Sequence, residues 1–415
     1  MVATDLKTKI PEGWQIKNIA NLCSKISMGE TLIADKLTGE GIPVFSANTE
    51  NRPWGYTSNN RLTYSQGTII VGARGSIGFP RLPEFEKYTS TQTTIALFPK
   101  INSKYLYYLL SKLNFSDIAD QQAVPMLTVE STNNISFIIP ENPKEQQKIA
   151  EVLTTIDEAI EKTDAIIEKN KRIQQGLMQD LFRYGIDEHG NIRSEKTHKF
   201  KTVIIGNEEM KIPEEWEVKP LLKTVSFIVD NRGKTPPNNN SGDYELIESS
   251  SISFVNRFPD YSKVTKFVNE KVFKLWFRDH PVKGDVLIST VGEYSGSSAL
   301  LSENRGTIAQ NVVALRFGLN DARYMFYWTR HSQYWHQIGQ VMMNQAQPSL
   351  KVPHLLKFSI QLPTIREQTQ IADNLFSIDE GIEKEMIYKQ KLLSFKRGLM
   401  EDLLTGKVRV NSLIN

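Results

Sequence analysis

Residues 145–182 and 367–404 match each other without an insertion or a deletion, and 17 of the 38 positions are identical. Length is held this strictly in an element where one extra residue would swing every later side chain off its face, as in a long packed helix. The apolar spacing agrees. Ile149, Leu153, Ile156, Ile160, Ile167, Leu177 and Leu181 lie on one seam, with Thr163, Asn170 and Gln174 filling its remaining places; the period is the roughly 3.5 residues of a coiled-coil stripe. Ile371, Leu375, Ile378, Ile382, Leu392, Leu399 and Leu403 draw the same seam in the second segment. At about 1.5 Å per residue each segment predicts a helix of about 57 Å, well beyond the usual globular helix. The natural partner of one seam is the other.

The match extends upstream in a looser form. IPEGW, opening at Ile10, returns as IPEEW at Ile212; VGARGSIG, from Val71, returns as TVGEYSG around Val291. STQTTIALF, from Ser90, answers to IAQNVVALRF, from Ile308, and AVPMLTVESTNNISFIIP, from Ala123, to AQPSLKVPHLLKFSIQLP, from Ala346. The offset drifts between 202 and 223, so the loops differ in length while the order of parts is kept. This is the signature of an internal duplication. Runs such as GTIIVGA and TTIALF read as strands, and SKYLYYLLSKL and ARYMFYWTRHSQYWHQIG as helices. The expected fold class is therefore α+β: two duplicated α/β domains and two long helices. The expected segments are a first domain over 1–142, a central helix over 143–185, a polar surface linker over 186–211, a second domain over 212–363, a C-terminal helix over 364–406 and a tail over 407–415.

Composition sets limits. A chain of 415 residues exceeds what one hydrophobic core supports, and its 40% hydrophobic and 23% charged residues are those of a globular protein. The single Cys23 cannot form an internal disulfide, and the six histidines have no cysteine neighbours at zinc-site spacing, so no metal is expected. No apolar run approaches the roughly 18 residues of a membrane span or resembles a signal peptide, which leads to the expectation of a cytoplasmic protein. The net charge is only +3, so any footprint for nucleic acid must be local.

The motif search returns no catalytic assembly. The glycines of VGARGSIG do not have the dinucleotide spacing, and Ile228 stands where the first glycine of a P-loop ending in Gly233, Lys234 and Thr235 would be needed. The run TPPN, Thr235 to Asn238, is wrong at both ends for a methyltransferase loop, and Glu217 with Lys219 reads as a strand entering the domain rather than a nuclease pair. His331 and His336 are five apart, off one helical face, and read as packing residues, as do Tyr105, Tyr107 and Tyr108. Polar loops remain. Asn48, Asn51, Arg52, Asn59, Asn60 and Arg61 in the first domain, with Arg74 and Ser76 exposed by the glycine-rich turn, have the side chains that hold phosphates and read base edges. Asn231, Arg232, Lys234, Asn256, Arg257, Asn344, Gln345 and Gln347 are their counterparts in kind in the second domain.

These signatures together resemble the DNA specificity (S) subunit of type I restriction-modification systems over essentially the whole chain. They are IPEGW and IPEEW, EQQKIAEVLTTIDEAIEK and EQTQIADNLFSIDEGIEK at the helix starts, GIDEHGNIRSEKTHKFK between the halves, and GLMEDLLTGKVRV near the end. The resemblance implies two target recognition domains, each reading one half of a bipartite site in double-stranded DNA, separated by two helices that form an antiparallel coiled coil. It implies a docking surface for two modification (methyltransferase) subunits that bind S-adenosylmethionine and methylate adenine. Restriction/translocase subunits, which use ATP and Mg²⁺, would complete the enzyme. It implies no active site and no cofactor in this chain. The central helix lacks the short tandem repeat that tunes spacer length in some members of the family.

The residues support the same mechanism independently. Two related domains on an antiparallel helix pair acquire an approximate two-fold relation within one chain, which mimics a dimer on two half-sites. Because the copies have diverged, the half-sites should differ. Three alternatives remain: a recognition subunit of a related system whose partner chain combines methyltransferase and nuclease, a self-sufficient methyltransferase or nuclease, and a coiled-coil adaptor that binds only protein.

Overall fold

The computed structural model describes residues 10–58, 61–120, 125–233, 235–343 and 349–414, except for the side chain of Lys36. Two compact units emerge, Met1–Ala165 with Met386–Asn415, and Ile166–Glu385. The division runs across the long helices, Pro143–Tyr184 and Ile365–Leu404, so half of each helix belongs to each unit.

In the first unit, Trp14–Asn18 pairs antiparallel with Ser136–Pro140, which brings the two ends of the domain together at the start of the long helix. Cys23–Met28, Thr94–Pro99, Ile69–Gly72 and Gly78–Arg81 form an antiparallel sheet in that order. Gly55–Thr57, Ile42–Phe45, Lys87–Ser90 and Tyr64–Ser65 form a second sheet, whose central pair is parallel. Helix Ser103–Ser111 is capped by the Asn102 side chain, which accepts from Tyr105 N at 3.0 Å. Tyr105, Leu106, Leu109 and Leu110 turn inward, as the apolar spacing predicts. They share a core with Trp14, Ile69, Val71, Ile149 and Leu153, and with Leu403 and Val410 from the end of the chain.

The second unit repeats the plan. Phe227–Val229, Val312–Arg316, Val286–Ser289 and Ser298–Leu300 form the antiparallel sheet, and Tyr244–Ile247 pairs in parallel with Thr307–Ile308. Glu217–Pro220 pairs with Ser359–Leu362. The aromatic run predicted as helical is two helices, Ala322–Trp328 and Ser332–Met342. Thr329 ends the first by turning its hydroxyl back to Phe326 O at 2.6 Å, and the His331 ring starts the second by accepting from Gln333 N at 3.4 Å. The stretch expected to be a polar surface linker is more ordered than that. Asp187 organises a turn by accepting from His189 N and Asn191 N, and Phe200–Ile205 and Glu208–Pro213 form a hairpin. Buried Ile186, Ile205 and Ile212 hold it to the domain.

The seams of the long helices pack as their spacing predicts. Ile149, Leu153, Thr163, Ile167 and Leu181 are buried, as are Ile371, Leu375, Ile382, Leu392 and Leu403. Ile156, Ile160, Leu177, Ile378 and Leu399 are half-buried. In the first unit Asp157 meets Lys396 at 2.5 Å and Asp164 meets Lys389 at 2.6 Å. Seven residues forward on one helix match seven backward on the other, so the helices run antiparallel. In the second unit Leu177 and Leu181 share a core with Ile371, Ala372 and Leu375, and Gln174 donates to Asp379 at 2.5 Å.

Candidate nucleic-acid interface

Parallel pairing of Ile42–Phe45 with Lys87–Ser90 sends both strands out of the same sheet end, so the loops that follow them must lie side by side. The turn after Ile69–Gly72 joins them. Ala73 N and Arg74 N donate to Thr93 O at 2.8 and 3.2 Å, Thr91 N donates to Phe45 O at 2.9 Å, and Ala47 N donates to Thr93 Oγ1 at 3.3 Å. Leu127 N completes the cluster on Ala73 O at 2.9 Å. The tight turn explains Gly72: a Cβ there would lie 2.1 Å from Ser76 O. Three loops and the segment around Leu127 thus form one polar surface.

The second unit builds the same frame from different side chains. Thr290 N donates to Asn311 O at 2.8 Å, Ala309 N to Ile247 O at 2.9 Å and Leu350 N to Thr290 O at 2.8 Å. Asn311 also donates through Nδ2 to Ser249 Oγ at 3.0 Å. Here the loops border a cleft of about 550 Å³, rimmed by Arg232, Thr235, Asn238, Lys266, Gln310 and Asn311. The charges on its rim are partly neutralised by neighbours: Arg232 pairs with Asp230 at 2.5 Å and Lys266 with Glu248 at 2.9 Å. Hydrogen bonding to Asp230 raises the Arg232 pKa, so the guanidinium stays charged.

Of the residues singled out in the sequence, the structure brings Asn48, Arg74 and Ser76 onto the first loop cluster. Asn48 is half-buried and accepts from Arg81 at 2.7 Å. Arg74 is exposed with its Nε 2.7 Å from Met126 Sδ, and Ser76 is half-buried at the turn. Arg52 is exposed and paired with Glu50 at 2.5 Å, and Arg61 is exposed. Arg232 is on the rim of the second cleft. Asn231 is engaged at both ends of its amide, donating to Asp279 O and accepting from Arg278 N.

Arg257 is only 9% exposed; it pairs with Glu383 at 2.5 Å and stacks 4.3 Å from the Phe376 ring, which fastens the domain to the second long helix. Asn256 beside it is exposed and its carbonyl accepts from Arg330. Lys234, Asn344, Gln345, Gln347, Asn59 and Asn60 lie outside the described residues. Sequence reasoning missed Arg81, Thr93, Asn238, Lys266, Gln310 and Asn311. The aligned runs STQTTIALF and IAQNVVALRF were the available signal for Thr93, Gln310 and Asn311, since both place polar residues just before a strand.

His331 is buried, stacked 5.0 Å from Phe182, and burial pushes its imidazole down to about 4. His336 faces Glu208 at 3.4 Å and Gln340 at 2.7 Å. Among the described residues, no three His, Cys, Asp or Glu side chains gather as a metal site. Nor is any helix among them long and apolar enough to cross a membrane.

Comparison with known proteins fits this doubled frame. A family model described as the type I restriction modification DNA specificity domain matches twice, over residues 11–170 and 213–391. The MjaVIII specificity subunit of a type I restriction enzyme from Methanocaldococcus jannaschii is 25% identical over 438 residues, covering 98% of this chain and 95% of its own. The MjaIX specificity subunit from the same organism is 24% identical over 446 residues, covering 98% and 96%. Among solved structures, the S subunit of a type I restriction-modification system from M. genitalium superposes with a TM-score of 0.64 at 16% identity, covering 96% of this chain and 98% of that one. A chain from a solved type I R-M system, studied for complex assembly and conformational transition, gives 0.52 at 13% identity over 97% and 100%. Two family domains in one chain, each built around the same loop frame, make this protein a member of the type I restriction-modification DNA specificity family.

Proposed function

We propose that this chain is the non-catalytic DNA-reading subunit of a type I restriction-modification complex and that it recognises a bipartite, asymmetric site. The observation that carries the reading is the loop frame built twice with one backbone pattern and two sets of side chains: Thr93 with Ala47 in one copy, Asn311 with Ser249 in the other. Equal frames favour the same kind of ligand, and unequal side chains favour different sequences. Affinity would come largely from phosphate contacts and discrimination from polar groups on base edges.

The partners in this reading are two adenine methyltransferase subunits, with restriction/translocase subunits in the complete enzyme. S-adenosylmethionine, ATP and Mg²⁺ belong to those partners, and the assembly works in the cytoplasm. The long helices suit the docking role because they expose large apolar side chains: Ile387, Tyr388 and Phe395 on the second, Ile166 and Ile173 on the first. Surface of that kind on otherwise polar helices is typical of protein contacts.

The test is a domain exchange. Residues 1–142 are replaced by the equivalent domain of a relative with a known site, the chimera is expressed with the modification subunits, and methylated positions are mapped. One half of the motif should change and the other should stay. A chimera that assembles and methylates yet changes both halves, or neither, refutes the modular reading.

A further inference from the structure

Arg81 is 5% exposed, and no carboxylate lies within ion-pair distance of it among the described residues. A buried cation without a counterion is costly, and burial lowers its pKa from the usual arginine value. Its guanidinium lies against the Phe45 ring at 5.6 Å. Its Nη donors go to one loop, Nη1 to Asn48 Oδ1 at 2.7 Å and Glu50 O at 3.2 Å and Nη2 to Ser46 O, while the buried Nε has no hydrogen-bond partner among the described residues. The fold itself does not require an arginine here. Ile70 faces Arg81 and Ala96 across its two neighbours, just as Leu287 faces Ala299 and Ala314 in the second copy. The second copy builds this strand pair with alanine at the corresponding place, so the arginine serves the loop.

The contact also settles which way the Asn48 amide points. A guanidinium can only donate, so the atom facing it must be the amide oxygen. The Nδ2 group is left without a hydrogen-bond partner among the described residues. We propose that Arg81 is a positioning residue of the first recognition loop and that it holds Asn48 with its N–H donors toward DNA, so that Asn48 reads a base-edge acceptor. The major-groove acceptors are guanine O6 and N7, adenine N7 and thymine O4. The inference rests on the proposed function, because it assumes that the first domain reads a half-site.

Asn48→Asp is the discriminating variant, studied in the full chain assembled with its modification subunits. The new carboxylate would pair with Arg81, so the thermal midpoint should hold or rise while the donors disappear. Binding to the cognate site should weaken about tenfold, as expected for one lost hydrogen bond to a base plus an opposed acceptor. The mapped motif should shift at one position of one half-site toward a base with an amino group, cytosine or adenine. Arg81→Ala, which the second copy shows the strand can accommodate, should blur several positions of that same half-site and leave the other half sharp. Unchanged cognate affinity in Asn48→Asp, or an equal loss on all sequences as for a phosphate contact, overturns the proposal. The domain exchange separates the two failures: a chimera with an unchanged motif sinks the proposed function, whereas a changed half-motif with an indifferent Asn48→Asp sinks only this inference.

Discussion

Glu145 and Glu367 are the third residues of the two long helices, both almost fully buried, and each is grasped by an arginine from the segment that follows a long helix. Arg409 binds Glu145 through Nε and Nη2 at 2.7 and 2.9 Å and donates through Nη1 to Glu12 O at 2.7 Å; Arg193 binds Glu367 at 2.5 and 3.2 Å. The repeated IPEGW and IPEEW segments belong to these clasps. Trp216 donates to Glu367 at 3.2 Å, and a Cβ on Gly406 would come within 2.7 Å of Pro11 and 3.2 Å of Trp14. The two clasps are not equally dry. Side-chain exposure is 9% for Arg193 and 28% for Arg409. Glu367 also accepts from Ile186 N at 2.8 Å. Glu367→Ala should therefore cost about 3 kcal/mol, because it removes the acceptor of Ile186 N and Trp216 and leaves the buried Arg193 only the half-exposed Glu215 at 2.9 Å, and Glu145→Ala roughly 1–2 kcal/mol because Arg409 can rehydrate. Urea unfolding of both variants gives the comparison, and equal losses would contradict the argument from exposure. His331 adds a pH dependence. Desolvation holds its folded pKa near 4 against 6.5 in the unfolded chain, so the unfolded state takes up the proton first as pH falls. Its contribution is complete above about pH 6.5 and is lost progressively down to about pH 4, in total roughly 3 kcal/mol. His331→Asn keeps a helix-capping side chain, and the difference between wild type and variant should shrink over that window; a constant difference would show that His331 does not titrate there.

Between elements, legibility followed locality. The long helices could be read because their signal is continuous and every seam position sees the same kind of environment. Even there the seam is more polar in one helix than in the other, since Glu385, Lys389 and Lys396 occupy seam places in the second helix that align with Thr163, Ile167 and Gln174 in the first. Their meaning depends on partners far along the chain: Lys389 on Asp164, Lys396 on Asp157, which also accepts from Tyr108 at 2.8 Å. Polar places in a seam favour one register because a slip of one heptad leaves only one of the two lysines facing an aspartate. The sheets were legible only as isolated strands. Ile69–Gly72 is buried on both faces, so it shows no alternation, and the parallel pairing of Ile42–Phe45 with Lys87–Ser90 joins residues far apart in the chain. The candidate site shared that limitation. Loop asparagines could be singled out as candidates because polar loops are visible locally. Arg81 was missed because it stands within a strand, and its role exists only once the strand has carried it under the Ser46–Glu50 loop. The burial of Arg257 was not legible for the converse reason: it stands in a loop, and only the packed helix carrying Glu383 and Phe376 shows what it contacts.

For the whole molecule, the gap-free match of 145–182 with 367–404 is the longest part of the duplication in which length is held constant. The proposed function gives that constancy a purpose if the paired helices measure the distance between half-sites. A change in helix length should then change the number of unread base pairs and nothing else. One heptad inserted after Ala165 and one after Glu385 lengthens both helices at the same level of the antiparallel pair, because Asp164 already faces Lys389 there. Whole heptads keep both seams in phase. The insertion adds about 10 Å of helix at about 1.5 Å per residue. Along DNA rising about 3.4 Å per base pair this is at most roughly three base pairs. Three base pairs also turn the second half-site about a quarter turn or more around the duplex, so the complex should settle on a spacer longer by one to about three, with both half-site sequences unchanged. A single insertion in one helix alone should instead put the Asp157–Lys396 and Asp164–Lys389 pairs seven residues out of register with the Gln174–Asp379 contact, so that both sets cannot form, and abolish assembly. Methylation mapping of the double insertion beside the parent measures the spacer directly. An assembled, active double mutant with the parental spacer would show that helix length does not set the site.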